Sequence, residues 1–513
     1  MFATSIALTP WAVLCVNMED AGVDLETDRT LPYDNSSLLS VPGFHVSVLF
    51  AQTSDQQAQD VIGRGLDLLV TPGGLAAVVV LIGMLAIGVM TDSGWRWILI
   101  ALLFLATLVQ GSTEFFNNSL FFPLEQLRSG SQLLNGLALC TIGLATLRGS
   151  PGTRWKIVSA IAIAMLCFEL FYGVRLFLAG RALRGSLVLV AYLLLFSSIS
   201  VGVGRRLQND RNLESLIRSI GLVGIPYVLF NVLQYLYSPN QTVTNGRFAG
   251  ISGNPQSAGL ICSLLTVTMI WLLSRPRSQK WMLPVFGAAV GISALLLVWT
   301  GSRTAVLASM VGLAFMFRQR LGSIILLGGF VFGSGFIASL VLTDGADLLE
   351  RVSSTENTRA EVWLVGLQEF LGSPIFGTLG TGRDEDLKVV ESTPIQTLQV
   401  LGIIGFAFLA GIYGAIFLFM RRLMLIGRAM PSRRPLVDYV VGIWAMIGVM
   451  SLFEAVFLGV ITFFTLMIYL VAAMSAYLVD PSGEARYHEE LDEEEARAEA
   501  EEIEIFANEP ERA

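Results

Sequence analysis

The chain has 513 residues, of which 54% are hydrophobic and 14% are charged, and its formal net charge is −8. A soluble domain carries about 25% charged residues, so this composition excludes an ordinary soluble globular protein. The mean hydropathy of +0.66 points the same way. Much of the negative charge lies in the C-terminal run 489–504, which predicts a solvated tail. The net charge therefore does not indicate the charge of a binding partner.

Apolar stretches of about 20 residues recur along the chain, and that length crosses a hydrocarbon core about 30 Å thick. Lipid offers no partners for backbone groups, so such stretches must be helices. We predict an all-α, polytopic transmembrane helical bundle with roughly 12–13 spans. The predicted spans are 73–90, 95–112, 132–147, 155–178, 186–203, 216–237, 256–274, 281–300, 304–317, 321–342, 395–420, 436–456 and 459–478.

This pattern divides the chain into a poorly defined N-terminal segment (1–66), a transmembrane bundle (67–480) and an acidic cytoplasmic tail (481–513). The four cysteines all fall in apolar segments, which predicts small buried side chains rather than a disulfide framework. No Cys/His cluster exists in the sequence, so we predict neither a metal site nor a cofactor.

The orientation follows from lysine and arginine in the short loops, which favour the cytoplasmic side. Alternate loops carry these residues, namely 148–156, 205–211, 275–280, 318–320 and 421–434. The intervening loops are poorer in positive charge and include two long ones, 238–255 and 343–394. We therefore predict that both long loops face outward from a bacterial cytoplasmic membrane, which in a Gram-negative cell means the periplasm.

Three arginines in or beside these outer loops share an unusual placement. Arg247 lies shortly before a helix that Asn254 can cap, Arg303 opens the next span, and Arg359 lies in the first turn of a helix predicted over 358–371. An arginine there opposes the helix dipole at a cost of about 0.3–1 kcal/mol. Three on one face predict an anion site, because guanidinium groups and helix N-termini both suit phosphate.

The simpler alternative is that these arginines reach lipid headgroups or pair with acidic neighbours. The acidic candidates are Glu356, Glu361 and Asp384. In the same outer loop, the helix over 358–371 is amphipathic, with apolar residues that can rest on the membrane surface. Those residues are Val362, Trp363, Val365 and Phe370.

Further along this loop, the glycine-rich stretch 372–382 favours a tight turn over a direct ligand contact. The acidic run 384–386 favours a surface turn over a metal site. Glu391 stands at the membrane lip before the next span, where it can be a general base or an acid that complements the helix dipole.

Three ionisable residues, Glu169, Arg175 and Glu454, fall inside predicted spans and need partners. Glu169 and Arg175 are six positions apart on one helix, which is not the spacing of residues that face each other. We therefore expect their partners on other helices.

Several motifs together resemble the family of O-antigen ligases and O-antigen polymerases, and they occur over about 245–420 in the family's order. They are Gly-Arg-Phe-Ala-Gly at 246–250 with Gly-Asn-Pro at 253–255, Leu-Val-Trp-Thr-Gly-Ser-Arg-Thr-Ala at 297–305, Thr-Arg-Ala-Glu-Val-Trp at 358–363 with Pro-Ile-Phe-Gly at 374–377, and Glu-Ser at 391–392 with Leu-Gly-Ile-Ile-Gly-Phe at 401–406.

The resemblance implies a membrane glycosyltransferase that moves a glycan from a polyprenyl-diphosphate carrier onto an acceptor hydroxyl, outside the cell, with inversion and without a metal. Arg247, Arg303 and Arg359 would bind the diphosphate, and Glu391 would be the catalytic base. The partners implied are the lipid-linked donor, a glycan or lipid acceptor and membrane lipids. A chain-length regulator is compatible with this reading, and no nucleic acid is expected.

One departure from the family separates its two activities. Ligases of the family carry a His-Asn pair where this chain has Glu391 and Ser392. The departure favours a polymerase, or another polysaccharide-assembly member, over a ligase.

Two other classes of function compete with the enzyme. A transporter or flippase for a lipid-linked or anionic substrate would use the same arginines without a base, but we find no repeated half in the sequence. A scaffold protein would give the outer arginines no role at all.

Overall fold

The computed structural model describes residues 82–83, 86, 94–109, 120–147, 159–244, 246–275, 282–319, 360–379, 392–458 and 461–480. The N-terminal segment 1–66, nearly all of the predicted span 73–90, the predicted span 321–342 and the acidic tail 481–513 lie outside these residues.

The described part of the chain is almost entirely helical. The main helices in chain order are α1 (Gly94–Val109), α2 (Leu124–Ser129), α3 (Ser131–Leu147), α4 (Ala160–Leu178), α5 (Ala182–Leu195), α6 (Asp210–Tyr237), α7 (Pro255–Leu273), α8 (Met282–Trp299), α9 (Arg303–Met316), α10 (Ala360–Gly372), α11 (Thr393–Ala429), α12 (Arg434–Phe453) and α13 (Phe463–Val479). Shorter elements lie between these helices. They are a π-helix over Phe196–Val203, helical turns over Gly204–Arg206 and Pro239–Thr242, a 3₁₀ turn over Gly250–Ser252, and strands β1 (Val243–Thr244) and β2 (Arg247–Phe248).

The helices agree with the predicted spans. Six helical stretches of the described residues are long and apolar enough to cross a membrane, and each lies at a predicted span. Five more predicted spans correspond to shorter apolar helices, which are α1, α3, α8, α9 and α13. The chain is therefore an all-α protein of the polytopic helical type.

Apolar side chains cover both the inside and the outside of this bundle. α13 is buried along nearly its whole length, whereas α6 exposes Leu229, Leu233 and Leu236 on its outer side. Large exposed apolar residues on an outer helix face fit a lipid environment better than water. Cys140 and Cys167 lie on such exposed faces, so the prediction that the cysteines are buried holds for Cys262 but not for these two.

One end of the bundle gathers ion pairs, and we call it the ion-pair end. Its pairs join Arg275 to Glu214, Arg318 to Asp438, and Arg433 to Asp210, the last at 3.2 Å. These arginines all come from the loops that the sequence marks as rich in positive charge. The structure therefore brings those loops to one end, as the charge pattern predicts.

The opposite end, which we call the loop end, carries residues 238–254, the α8–α9 turn and the start of α11. α9 and α12 fix this assignment because they run antiparallel. Arg318, just after α9, pairs with Asp438 near the start of α12, and Gly312 lies against Gly442 further along. The start of α9 therefore lies at the same end as the last turn of α12.

The π-helix Phe196–Val203 was not predicted, and its packing against α3 explains it. The Ser198 hydroxyl donates to the carbonyl of Leu139 at 2.7 Å, and a Cβ at Gly202 would overlap the Thr146 side chain. A π-turn widens the helix locally, which lets these small residues approach α3 closely.

Candidate functional site

Arg247 lies at the loop end on β2, where Thr244 of β1 is its antiparallel partner. Its Nε donates to the carbonyl oxygen of Thr300 at 2.7 Å. That carbonyl follows the last turn of α8, where helical carbonyls lack partners within the helix. Arg247 therefore caps α8 and places its guanidinium group beside the α8–α9 turn.

Arg303 opens α9 at the other side of the same turn and is exposed. Ser302 caps the helix by accepting from the backbone N–H of Ala305 at 3.3 Å, and Gly301 makes the turn with φ 60°. Arg247 contacts Thr300, three positions before Arg303. The structure thus brings these two predicted site residues to one turn.

The start of α7 supports this turn from the other side. Asn254 caps α7 by accepting from the N–H of Gln256 at 2.8 Å, and Pro255 is the first helical residue, as predicted. A Cβ added at Gly259 would lie 2.7 Å from Thr300 Oγ1 and 2.8 Å from Ser302 Cβ. Only a glycine allows α7 to pack this closely against the arginine-bearing turn.

Buried polar residues of α6 hold the loop that carries Arg247, and sequence reasoning missed them. Asn231 Oδ1 accepts from the N–H of Ile251 at 2.9 Å. The Tyr227 hydroxyl shares a hydrogen bond with the Ser252 hydroxyl at 3.0 Å. The only signal for these residues was their polarity within an apolar span.

The other two predicted site residues, Arg359 and Glu391, lie outside the described residues, as does the acidic run 384–386. Their sequence neighbours are described. Ser392, which follows Glu391, donates to the carbonyl of Leu452 at 2.9 Å, and Thr393 donates to the carbonyl of Glu454 at 2.7 Å. Ser392 therefore lies at the loop end, as Arg303 does.

α11 is broken at Gly402, which has φ 64° and ψ −161°. A straight helix would separate Thr393 from Tyr413 by about 30 Å. Both residues nevertheless contact the segment 451–457, through Glu454 for Thr393 and through Ser451 and Phe457 for Tyr413. The predicted span 395–420 is therefore two helical arms joined by a sharp bend.

The glycine-rich stretch fills this break. Thr378 and Leu379 donate their backbone N–H groups to the carbonyls of Gln399 and Val400, at 2.8 and 3.0 Å. On the other side of the break, Ile403 donates to Pro374 at 2.9 Å. The described part of the stretch is thus a tight turn, as predicted, and it satisfies backbone groups that the bend leaves open.

Two arginines from α4 and the α4–α5 turn hold this glycine-rich turn. Arg175 donates to the carbonyl of Phe376 at 3.0 Å and stacks its guanidinium group over the Phe376 ring at 4.9 Å. Arg181 donates to the carbonyl of Leu379 at 3.5 Å. Burial, and after it the positive charge of Arg184, lower the pKa of Arg181 from its ordinary value.

The three ionisable residues inside predicted spans differ in the contacts that they make. Arg175 finds its partner across the bundle, as expected, and does not pair with Glu169. Glu454 is 6% exposed and lies beside the start of α11. Glu169 is fully buried, and neither of its carboxylate oxygens has a hydrogen-bond partner in the described structure.

α10 exposes an apolar stripe that only partly matches the predicted one. Of the four residues predicted to be exposed, Val365 is exposed, whereas Val362, Trp363 and Phe370 are only partly accessible; Leu364, Leu367 and Leu371 are exposed instead. The reason is that α10 packs on α11, with Gln399 donating to Glu369 at 2.6 Å. That contact rotates the leucines, spaced by three and four positions, outward.

Within the described ranges, no three His, Cys, Asp or Glu side chains gather to hold a metal ion. A comparison of the sequence with models of known protein families finds no match, and a search of curated proteins finds none. The motifs and the geometry of the loop end are therefore the features that indicate a function.

Proposed function

We propose that the protein is a membrane glycosyltransferase that polymerises or ligates polyprenyl-diphosphate-linked oligosaccharides. The proposal includes a bacterial cytoplasmic membrane with the loop end facing outward. The observation that carries it is the meeting of Arg247 and Arg303 at one turn, beside the helix start that Asn254 caps. Guanidinium groups and helix N-termini together suit a diphosphate.

The chemistry needs little beyond this charge and a base. The acceptor oxygen would form a bond to the anomeric carbon while the carbon–oxygen bond to the diphosphate breaks. The diphosphate leaves with the electron pair, and arginines stabilise the negative charge that it gains. In the proposal Glu391 accepts the acceptor's proton, and Arg359 joins Arg247 and Arg303 around the leaving group.

A transporter or flippase is the second candidate, and the broken helix α11 favours it because transporters place such breaks at their binding sites. In those sites the open backbone groups coordinate the substrate or ion. Here the carbonyls of Gln399 and Val400 accept from Thr378 and Leu379 instead. The break is already filled by the chain itself, so we prefer the enzyme.

Substitution of the base separates the two functions. In the enzyme, Glu391→Gln removes the proton acceptor while it keeps size and polarity, so surface polymer should disappear although the protein is still expressed. A transporter needs no base and should retain its activity. Unchanged glycan ladders in the Glu391→Gln strain would refute the role of Glu391.

Glycan profiling of a deletion strain tests the wider proposal. A polymerase predicts loss of long polymer with single repeat units retained, and a ligase predicts polymer stranded on its lipid carrier. A deletion strain with a normal glycan profile would exclude both activities.

A further inference from the structure

Glu169 is a carboxylic acid in the middle of α4, and neither proposed function uses it. It lies nine residues before the last residue of α4, Leu178, and its side chain is 0% exposed. Its two carboxylate oxygens have no hydrogen-bond partner in the described structure. An ionisable side chain in a membrane-spanning helix is a functional candidate by default.

The groups that face Glu169 are phenols from three helices. They are Tyr172 of α4, Tyr192 of α5 and Tyr469 of α13. The Tyr192 hydroxyl approaches Glu169 and also reaches Thr465 of α13. The Tyr469 hydroxyl is buried without a hydrogen-bond partner in the described structure.

The other helices packed here add no charge near the acid. From α11, which packs on the same helix, Phe408 stacks on Phe171, and the π-helix after α5 carries no titratable residue. The ion pairs of the described structure all involve other carboxylates, those of Asp210, Glu214 and Asp438. An ionised Glu169 would thus be a buried anion with no cation near it and only the Tyr192 hydroxyl to donate to it, which is strongly unfavourable.

We infer that Glu169 is a proton-binding site that exchanges its proton with the solvent at the loop end through Tyr172. A Glu169 that stays protonated at neutral pH avoids the cost of a buried charge, because a protonated carboxyl group is neutral. Protonation also lets the Glu169 hydroxyl group donate a hydrogen bond to a neighbouring phenol oxygen.

Tyr172 provides the connection to solvent. It lies one helical turn from Glu169 towards the loop end and is 7% exposed. Arg184, an exposed residue in the first turn of α5, hydrogen-bonds the Tyr172 hydroxyl, and Arg181 lies near it. Tyr172 therefore lies between the exposed Arg184 and the buried Glu169. This inference is independent of glycan transfer.

Infrared spectroscopy of the purified full-length protein in lipid nanodiscs tests the inference. At pH 7 the wild type should show the carbonyl stretch of a protonated carboxylic acid, and the stretch should shift after transfer to D₂O. Glu169→Gln should remove this band. Glu214→Gln is the matched control, because Glu214 pairs with Arg275 at the ion-pair end, and it should leave the band intact.

Tyr172→Phe removes only the relay hydroxyl, so the band should persist and its shift in D₂O should slow by about tenfold or more. If Glu169→Gln leaves the band unchanged, or if the wild-type band does not shift in D₂O, the inference is wrong. A shift that is equally fast in Tyr172→Phe contradicts the proposed route.

Labelling of the wild type needs no variant and gives an independent reading. A hydrophobic carbodiimide reacts with protonated carboxyl groups inside the membrane, so peptide mapping should find the adduct on Glu169 at pH 6–7. Absence of that adduct across this pH range would overturn the inference.

Discussion

At the scale of single residues, glycines decide where the chain can approach itself. Gly377 and Gly402 both have positive φ, 68° and 64°, and face each other across the filled break. A Cβ at Gly402 would overlap the carbonyl of Ile375 and lie 2.7 Å from the Gly377 nitrogen. Backbone atoms cannot move aside cheaply, so the two positions tolerate no side chain.

We expect Gly402→Ala to destabilise the protein by about 2 kcal/mol or more, because positive φ and overpacking each cost about 1–3 kcal/mol. The measurement is thermal unfolding in detergent. Gly411→Ala is the matched control, since it lies in the same helix and a Cβ there meets nothing within 4 Å. Equal midpoints for the two variants would show that the break is not strained in this way.

The two site arginines that the structure describes, Arg247 and Arg303, differ in how much they contribute to the fold. Arg247 caps α8, so its replacement would disturb the fold as well as any ligand. Arg303 is exposed at the start of α9, where its replacement leaves the cap at Ser302 intact. Arg303 is therefore the cleaner probe of a diphosphate site.

At the scale of helices, small residues allow close contacts between helices of the bundle. α9 and α12 cross where Gly312 meets Gly442, and a Cβ at Gly442 would lie 2.9 Å from the carbonyl of Gly312. Close helix approach through small residues is the usual way in which membrane helices associate. This contact keeps the start of α9, and so Arg303, at a fixed height in the bundle.

We expect Gly442→Ala to lower the thermal midpoint by several degrees, because the backbone of α9 must move away. Gly448→Ala lies six residues further along the same helix, where an added Cβ meets nothing within 4 Å, and it should leave the midpoint nearly unchanged. A thermal scan of both variants in the same detergent makes the comparison. A Gly442→Ala protein as stable as the wild type would contradict the close contact.

Over the whole molecule, hydropathy and charge predicted most of the architecture. The helices lie at the predicted spans because an apolar run of sufficient length has few other folds available in lipid. The arginine-rich loops that the structure describes meet at one end, because lysine and arginine in short loops favour the cytoplasmic side of a membrane. Asn254 caps its helix as local sequence predicts.

The structural features that local sequence patterns missed depend on contacts between segments that are distant in the chain. Nothing in the apolar run around Gly402 distinguishes a break from a continuous helix, because the turn 374–379 that fills it is distant in sequence. The same holds for Arg181, whose partner Leu379 is 198 positions away. Of the predicted site residues, the structure places Arg247 and Arg303 together, and the roles of Arg359 and Glu391 remain predictions.

The most direct test of the diphosphate site is the affinity of the purified protein for a polyprenyl diphosphate. We expect Arg303→Ala to weaken this affinity by about tenfold or more, since a hydrogen bond to a charged group contributes about 1.5–3 kcal/mol. Arg211→Ala is the matched control, because Arg211 is also an exposed arginine in the first turn of a helix but lies at the ion-pair end. Its affinity should equal that of the wild type. If Arg303→Ala binds the diphosphate as tightly as the wild type does, the loop end is not the diphosphate site and the proposed glycan transfer loses its basis.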